Sequence, residues 1–355
     1  MPALKELLKE VADARRTLTR DEARGALHAI LTGEPDPAAD IEIAALLTAL
    51  ATRGETVDEL TGFAEAMRAL SLPVPLTDEE RAALVDTCGT GGDGQGTFNI
   101  STGAALVAAA AGAKVAKHGN RGVTSRCGSA DVLEAMGVPV ALAPEESAAC
   151  LRATGFAFLY APALHPAMKR VQPIRRALGF RTIFNLAGPL TNPAGAPAQV
   201  MGVFARDRLE VVAGAMAQLG IRFGRVVHAR NGIDEIALSA TDTILVLDTR
   251  GGRGREVVPQ LIHPEDAGLA HAPLGHLQGG DTPEGNAVIL EAILAGRERG
   301  PRLDIVLLNA AAALQAAGLA EDLKEGVVLA GKAIGSGAAG GILEALRSFA
   351  VSLRR

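Results

Sequence analysis

The first seventy residues carry apolar side chains at helical spacing. Within residues 4 to 71 the apolar runs are separated by Gly33 and Gly54, and glycine is typical of helix ends. Two helix starts have a capping-box pattern, and in the first of them Thr19 is followed three positions later by Glu22. The pattern predicts four short helices that form a scaffold domain.

From about Leu84 the pattern changes to short β-rich runs that alternate with helical runs. The β-rich runs are, in order, LVDTC, KVAKHG, VPVALA, FAFLYA, QVMGVF, RVVHAR, TILVLDT and EVVPQLIHP. Strands that alternate with helices indicate a mostly parallel sheet with helices on its faces. The GGRGRE stretch between the last two runs is predicted to be a hairpin or surface loop.

The predicted fold class is therefore α/β: a small all-helical domain and a larger α/β domain with a mostly parallel central sheet flanked by helices. We place the helical domain at residues 1–72, joined by helices from about 165–190, and the α/β domain at residues 73–355. Ligands in such sheets bind at the carboxyl ends of the strands, so we expect the chemistry in the loops that follow strands.

Composition and charge argue against several classes of function. Lys and Arg number 35 against 40 Asp and Glu, for a net charge of -5, so no basic excess attracts nucleic acid or an anionic membrane. The three cysteines lack metal-ligand spacing, which favours a reducing compartment, and we expect a cytoplasmic location. The most apolar stretch, Gly103 to Ala113, is too short to cross a bilayer and is predicted to be a buried helix.

A glycine-rich segment, Asp86 to Gly94, lies between a predicted strand and a predicted helix that begins near Asn99. Its backbone amides can approach an anion closely because glycine has no side chain. The spacing of its glycines matches neither a P-loop nor a dinucleotide fingerprint. Asn99, Ser101 and Thr102 offer more polar groups than one helix cap needs, which favours binding of a phosphate or of magnesium carried by it.

Three later segments also concentrate polar residues. The run from Lys117 to Ser125 mixes donors with glycines, which favours contact with phosphate, ribose or a planar ring over a solvated loop. The helix predicted from His165 to Gly179 contains several cations, for which a solvated basic face is the usual explanation. The adjacent Asp234 and Glu235 suit oxygen ligation of magnesium, although adjacent acids are also common on surfaces.

Four motifs, taken together, resemble those of the anthranilate phosphoribosyltransferase family: GTGGDG-x3-FNIST, KHGNR-x-VTS-x-CGSAD, RTIFN-x3-PLTNP and GIDE. The match runs from about residue 86 to 240, and the amino-terminal helices look like the family's small helical domain. The resemblance implies transfer of the 5-phosphoribosyl group of phosphoribosyl pyrophosphate (PRPP) to the amine of anthranilate, a step of tryptophan biosynthesis. It also implies two Mg2+ ions per active site, a homodimer formed through the helical domain, and no covalent nucleophile.

The resemblance assigns each matching residue a role in substrate binding. The residues expected to contact PRPP are Gly89, Gly92, Asp93, Thr97, Asn99, Ile100, Ser101, Thr102, Lys117, His118, Gly119, Asn120, Arg121, Gly122, Val123, Thr124, Ser125 and Ser129. Anthranilate is expected to contact Gly89, Asn120 and Arg175. The planar guanidinium of Arg175 suits a bidentate pair with the substrate carboxylate.

The resemblance also assigns the metal ligands. Ser101 is expected to ligate one magnesium ion, and Asp234 and Glu235 the second, with Glu235 touching both. The residues just before Gly232 are less typical of the family, so this loop is the weakest part of the match.

Two other interpretations remain open from the sequence. A pyrimidine nucleoside phosphorylase resembles this family in fold and also acts at ribose C1, but it uses inorganic phosphate and no divalent metal. A catalytically silent relative that binds nucleic acid is the second alternative. The acidic charge balance and the intact Asp234–Glu235 pair speak against it.

Overall fold

The computed structural model describes residues 4–122, 127–248 and 255–353. Its amino-terminal part consists of four helices, as the apolar spacing predicts: α1 (Leu4–Asp13), α2 (Arg20–Thr32), α3 (Pro37–Arg53) and α4 (Val57–Ala69). The capping box before α2 is present, because the Thr19 side chain accepts from Glu22 N–H and the Glu22 carboxylate accepts from Thr19 N–H.

Seven strands form one sheet in the order β3-β2-β1-β4-β5-β6-β7. The strands are β1 (Leu84–Asp86), β2 (Lys114–Gly119), β3 (Phe156–Tyr160), β4 (Ala198–Gly202), β5 (Phe223–Ala229), β6 (Thr241–Asp248) and β7 (Arg255–Ile262). Strands β1 to β5 pair in parallel, whereas β6 and β7 are added antiparallel. The predicted mostly parallel sheet is confirmed, and the carboxyl ends of five strands meet at one edge.

The remaining α-helices of the described residues connect these strands and cover the sheet. They are α5 (Asp78–Ala82), α6 (Ile100–Ala110), α7 (Ser129–Ala135), α8 (Pro144–Thr154), α9 (Ala161–Leu164), α10 (Gln172–Leu178), α11 (Ile183–Ala187), α12 (Leu209–Gln218), α13 (Pro283–Leu294), α14 (Pro301–Ala316), α15 (Leu323–Gly335) and α16 (Ala338–Ser352). In its middle, α6 is buried on every side, as its uninterrupted apolar sequence predicts.

The buried apolar residues of the described chain form two hydrophobic cores. One joins α6 with the helices of the carboxyl-terminal third. The other joins α1 to α4 with α10, α11 and α12, and the rings of Phe63 and Phe184 meet there at 5.8 Å between centroids. The amino-terminal helices therefore share a core with the segment around residues 165–190. Our division at residue 72 stays a prediction.

Two local predictions are wrong. The VPVALA run forms no strand; Val138, Val140 and Leu142 are buried as a loop, where Pro139 has no N–H for a ladder. The single helix predicted from His165 to Gly179 is instead a 3-10 turn followed by α10, each with a proline in its first turn. Most of the GGRGRE stretch lies outside the described residues, and the flanking β6 and β7 pair antiparallel.

Within the described ranges, no single helix is both long and apolar enough to cross a bilayer. The bent pair α15 and α16 reaches the required length and composition only when its two helices are taken together.

Candidate active site

The glycine-rich loop after β1 lies over the carboxyl edge of the sheet. Thr90 N–H donates to Gly202 O at the end of β4 (2.9 Å), and Gly91 N–H donates to Asp234 Oδ2 (2.7 Å). Gly91 and Gly92 have φ angles of 63° and 78°, a left-handed region that favours glycine. The loop is therefore fastened to two neighbouring strand ends and follows a path that other residues would take only under strain.

Helix α6 begins at this loop and presents its first turn to the same edge. Asn99 is the N-cap, but its side chain does not cap; Nδ2 donates instead to Cys127 O at 3.2 Å. The N–H of Ser101 donates to Glu235 Oε1 at 3.0 Å, so a carboxylate occupies the positive end of the helix. The predicted surplus of polar groups at this helix start is present.

Lys117 ends up beneath these loops at the carboxyl end of β2. Its ammonium group donates to Thr87 O (2.8 Å), Thr87 Oγ1 (3.1 Å) and Ser101 Oγ (3.4 Å), and the residue is 1% exposed. A buried cation is costly unless it is hydrogen-bonded, and these three acceptors meet that requirement. Lys117 thus places a fixed positive charge at the base of the site, next to Ser101.

The acidic pair, Asp234 and Glu235, follows β5 and lies beside Ser101 at the same edge of the sheet. Burial, and then the nearby charge of Asp93, raise the pKa of Asp234 to about 7. Burial, and then the charge of Asp234, raise the pKa of Glu235 to about 8. Gly202 makes the close packing possible, because a Cβ there would lie 1.5 Å from the Asp234 carbonyl oxygen.

These donors fit a magnesium ion. Ser101 Oγ and the carboxylates of Asp234 and Glu235 are hard oxygen ligands of the kind that Mg2+ takes in proteins. Two adjacent, partly buried acids with raised pKa values also repel each other, and a divalent cation relieves that repulsion. In the described part of the chain there is no group of three His, Cys, Asp or Glu residues that could hold a metal ion alone, so other ligands are needed.

A buried carboxylate anchors the strand ends behind this cluster. Asp86 Oδ2 accepts from Asn192 Nδ2 (2.8 Å), and Oδ1 accepts from His118 N–H (3.1 Å). Asn192, from the PLTNP motif, also donates to Ala116 O at 2.8 Å. Burial raises the pKa of Asp86 to about 6. The PLTNP motif therefore holds the carboxyl ends of β1 and β2 together.

The glycine-rich loop, the start of α6, Lys117 and the acidic pair border one cavity of about 850 Å3. The predicted site residues that line it are Gly89, Gly92, Asp93, Thr97, Asn99, Ile100, Ser101, Lys117, His118, Gly119, Asn120, Arg121, Gly122, Ser129, Arg175, Asp234 and Glu235. The cavity is within the range that small-molecule sites occupy. The glycine-rich loop, the β2 loop and the acidic pair therefore belong to one site.

Four predicted residues are not among those lining the cavity. Thr102 is fully buried in α6, because the helix turns its side chain toward the protein interior, so the predicted contact with PRPP is not supported. Val123, Thr124 and Ser125 lie outside the described residues. Arg121 does line the cavity, although its guanidinium is ion-paired with Asp131 and Glu134 of α7.

Arg175 lies at the end of the cavity nearest the helical domain. Its guanidinium stacks over the Phe184 ring at 5.1 Å, and burial lowers its pKa. Within the described ranges, Arg175 forms no ion pair with a carboxylate. The neighbouring Arg176 is exposed, so the solvated basic face predicted for this segment describes Arg176 and not Arg175.

The chain is similar to known proteins over nearly its whole length. Residues 81–340 match the glycosyl transferase family, a/b domain, and residues 5–71 match the helical bundle domain of the same family. The chain is 50% identical over 352 residues to the anthranilate phosphoribosyltransferase of Solibacter usitatus, and the alignment covers 99% of each protein. The chain belongs to the anthranilate phosphoribosyltransferase family.

Solved structures of anthranilate phosphoribosyltransferases have the same fold. The enzyme from Thermus thermophilus superimposes with a TM-score of 0.88 at 43% identity, over 99% of each chain. The enzyme from Saccharomyces cerevisiae in complex with PRPP and Mg superimposes with a TM-score of 0.86 at 27% identity, over 98% of each chain. The fold predicted from the sequence is thus the fold of the anthranilate phosphoribosyltransferase family.

Sequence reasoning missed several residues that complete the cavity of this anthranilate phosphoribosyltransferase-family chain. Gln278 and Gly279 lie against the glycine-rich segment: Gly279 N–H donates to Gly96 O (2.9 Å), and Gln278 forms an isolated bridge with Thr97. Asn309 of α14 lines the cavity as well. The adjacent Gly279 and Gly280 were a signal in the sequence, but Asn309 had none, because its helix reads as ordinary core.

Proposed function

We propose that the chain transfers the 5-phosphoribosyl group from PRPP to the amine of anthranilate, giving N-(5-phosphoribosyl)anthranilate and pyrophosphate in tryptophan biosynthesis. One observation carries the proposal: a single cavity is bordered by an anion-binding loop, a helix start, an acidic pair and Arg175. A diphosphate, a sugar and an aromatic acid need these groups in this combination.

PRPP occupies the sheet edge in this proposal. The loop from Gly89 to Gly92 and the start of α6 border its phosphate groups, although the N–H groups of Thr90, Gly91 and Ser101 already donate within the protein. Lys117 adds a fixed positive charge beneath them, and the loop from His118 to Gly122 borders the ribose. Ser129, at the start of α7, is one more donor beside that loop.

The metal site belongs to the same end of the cavity. Ser101, Asp234 and Glu235 would hold Mg2+, and we propose two ions per site, as the resemblance to the family implies. Bound Mg2+ neutralises charge that develops on the departing pyrophosphate. Both carboxylates must be ionised to hold it, and their raised pKa values mean that metal and protons compete for them.

Anthranilate approaches from the side of the helical domain. Arg175 pairs with its carboxylate, and the stacking on Phe184 fixes the plane of the guanidinium before the substrate arrives. Asn120 and Gly89 complete the contacts near the reacting amine. A desolvated cation with its orientation already fixed loses little entropy on binding, which favours a small, planar acid.

The mechanism that we infer follows from the chemistry of the attacking amine and of the leaving pyrophosphate. The aryl amine is neutral near pH 7 and attacks without a strong base, whereas pyrophosphate leaves slowly unless its charge is stabilised. We infer direct displacement at ribose C1 through an oxocarbenium-like transition state, with no covalent enzyme intermediate. The chain contributes alignment of the two substrates and fixed N–H dipoles at the leaving group.

The test is an assay in which anthranilate fluorescence is followed after mixing enzyme, Mg2+, PRPP and anthranilate. We expect the signal to fall only when all four components are present. A nucleoside phosphorylase would instead need inorganic phosphate and no divalent metal. Turnover that continues without PRPP or in excess chelator would overturn the proposal.

We further propose a homodimer formed through the helical domain and a cytoplasmic location. Ile41 of α3 is 72% exposed on the helical domain and is therefore a position at which this surface can be tested. Ile41→Glu should shift the sedimentation of the protein from dimer to monomer, and unchanged sedimentation would contradict this surface. The three cysteines are buried thiols and are not joined in disulfides, as expected in a reducing compartment.

A further inference from the structure

Asn309 lies near the middle of α14, behind the acidic pair, and is 4% exposed. Its Oδ1 accepts from Ile236 N–H at 3.0 Å, and its Nδ2 donates to Ile236 O at 2.9 Å. The same Nδ2 also donates to Ile305 O of its own helix at 2.9 Å. One side-chain amide thus pairs with both backbone groups of the residue that follows Glu235.

This pairing uses the donor capacity of the side chain completely. The Asn309 amide nitrogen has two hydrogens, and both are donated to carbonyl oxygens. Although Asn309 borders the cavity, it has no donor left for a substrate. Its contacts therefore indicate that Asn309 holds the acidic loop, residues 234–236, in place and does not itself bind a substrate.

The acidic loop needs such support because its two neighbouring carboxylates, those of Asp234 and Glu235, repel each other. Asp234 and Glu235 are adjacent and partly buried, and like charges repel each other more strongly where water is partly excluded. Glu235 is held at its side chain by Ser101 N–H, while the peptide group after it is held by Asn309. Helix α6 and helix α14 thus fix the residue from its two ends.

We propose that Asn309 is the positioning residue of the acidic pair: by fixing the Ile236 backbone it sets the orientation in which Glu235 ligates the metal. The inference rests on the function proposed above, since it assumes that the pair binds a divalent cation. Without Asn309 the buried N–H and C=O of Ile236 lose their partners, and the loop has to rearrange to satisfy them.

The experiment compares Asn309→Leu and the smaller Asn309→Ser with a matched control, Gln315→Leu. Gln315 is an amide on the same helix that binds buried Arg225, away from the acidic loop. Mn2+ serves as the probe because it accepts the same oxygen ligands. Its binding to each protein in the presence of PRPP is measured by electron paramagnetic resonance, with thermal unfolding and steady-state kinetics alongside.

We expect both Asn309 variants to bind Mn2+ about 10-fold more weakly, the usual loss when a group that orients a metal ligand is removed. Turnover should recover partly at high Mg2+, while the KM for anthranilate stays constant. Gln315→Leu should lower the unfolding temperature yet keep the Mn2+ affinity of the wild type. This difference separates positioning from a general loss of stability.

Three results would contradict these claims. If the wild type binds Mn2+ with PRPP and either folded Asn309 variant binds it equally well, Asn309 does not position the pair. If the wild type itself binds no Mn2+ in the presence of PRPP, the proposed metal site is wrong and the inference fails with it. A loss of affinity in Gln315→Leu equal to that in Asn309→Ser would also refute a specific role.

Discussion

Ser101 and Glu235 are joined by a hydrogen bond of 3.0 Å from the Ser101 amide to Glu235 Oε1, across 134 positions of sequence. The first-turn amides of a helix have no intrahelical partner, so Glu235 satisfies one that Asn99 leaves free. The contact also places a carboxylate where phosphate oxygens are expected. Glu235 can therefore link the anion site of α6 to a cation held by the acidic pair.

The Glu235→Gln variant should show the effect of losing the negative charge of this side chain while the fold of the protein is kept. The amide oxygen of Gln can still accept from Ser101 N–H, so we expect the unfolding temperature to be retained. Loss of the negative charge removes a metal ligand, and kcat should fall about 100-fold or more. The measurement is turnover at saturating PRPP over a range of Mg2+ concentrations.

The control for this variant is Glu291→Gln, which removes the same charge from the surface ion pair with Arg347 of α16. It should leave kcat within about twofold of the wild type, because exposed ion pairs contribute little and the pair is remote from the cavity. Full turnover of Glu235→Gln at saturating Mg2+ would reject the metal role.

The site could be predicted from the sequence where its residues follow strands directly. The loop from Gly89, the Lys117 run and the Asp234–Glu235 pair all leave the carboxyl edge of a parallel sheet, so strand order alone brings them together. The partners of these residues could not be predicted in the same way. Asn309 meets Ile236 through backbone atoms, and backbone contacts leave no trace in residue type.

The wrong secondary-structure predictions have a common cause. The alternating Val138, Val140 and Leu142 are buried as a strand pattern requires, but Pro139 within the run and Pro144 after it have no N–H to donate. Apolar periodicity reports burial, whereas a ladder also needs free N–H groups. The same limit applies to Thr102, whose hydroxyl suggested a ligand contact although its position on α6 faces the interior.

His165 should make the protein less stable in mild acid. Burial lowers its pKa from 6.5 to about 4, so the unfolded state takes up a proton before the folded state does. Stability is then fully present above about pH 6.5 and falls as the pH drops toward 4. Between about pH 7.5 and pH 5 this group should contribute a loss of about 2 kcal/mol.

The measurement is urea unfolding of the wild type and of His165→Phe at both pH values. Phe keeps a ring against His118, whose centroid lies 5.1 Å away. We expect the pH-dependent loss to be smaller in the variant by about 2 kcal/mol, since carboxylates titrate alike in both proteins. Equal losses in the two proteins would mean that His165 is not buried in its neutral form.

Gly202→Ala should disturb the acidic loop from the opposite side. A Cβ at this position would lie 1.5 Å from the Asp234 carbonyl oxygen, so the loop must move away from the end of β4. We expect a destabilisation of about 1–3 kcal/mol, or more, from overpacking. Metal affinity should fall with it, because Asp234 moves.

The control is Gly331→Ala in α15, where an added Cβ meets nothing within 4 Å. In a helix interior this change should stabilise the protein by about 0.5–1 kcal/mol without altering turnover. Urea unfolding and Mn2+ titration check both variants. A Gly202→Ala protein with the stability and metal affinity of the wild type would show that the loop does not depend on this close approach.

The variants Arg175→Ala and Arg176→Ala should differ in their effect on anthranilate binding, because only Arg175 is proposed to contact the substrate. Arg175 borders the cavity and stacks on Phe184, whereas Arg176 is exposed on the other side of α10. Losing a charged hydrogen-bonded pair with the anthranilate carboxylate should raise the KM for anthranilate about 10- to 100-fold. The KM for PRPP should stay close to that of the wild type, because the diphosphate end of the cavity is unchanged. Equal KM values for anthranilate in the two variants would remove Arg175 from the substrate site and leave the carboxylate to another cation.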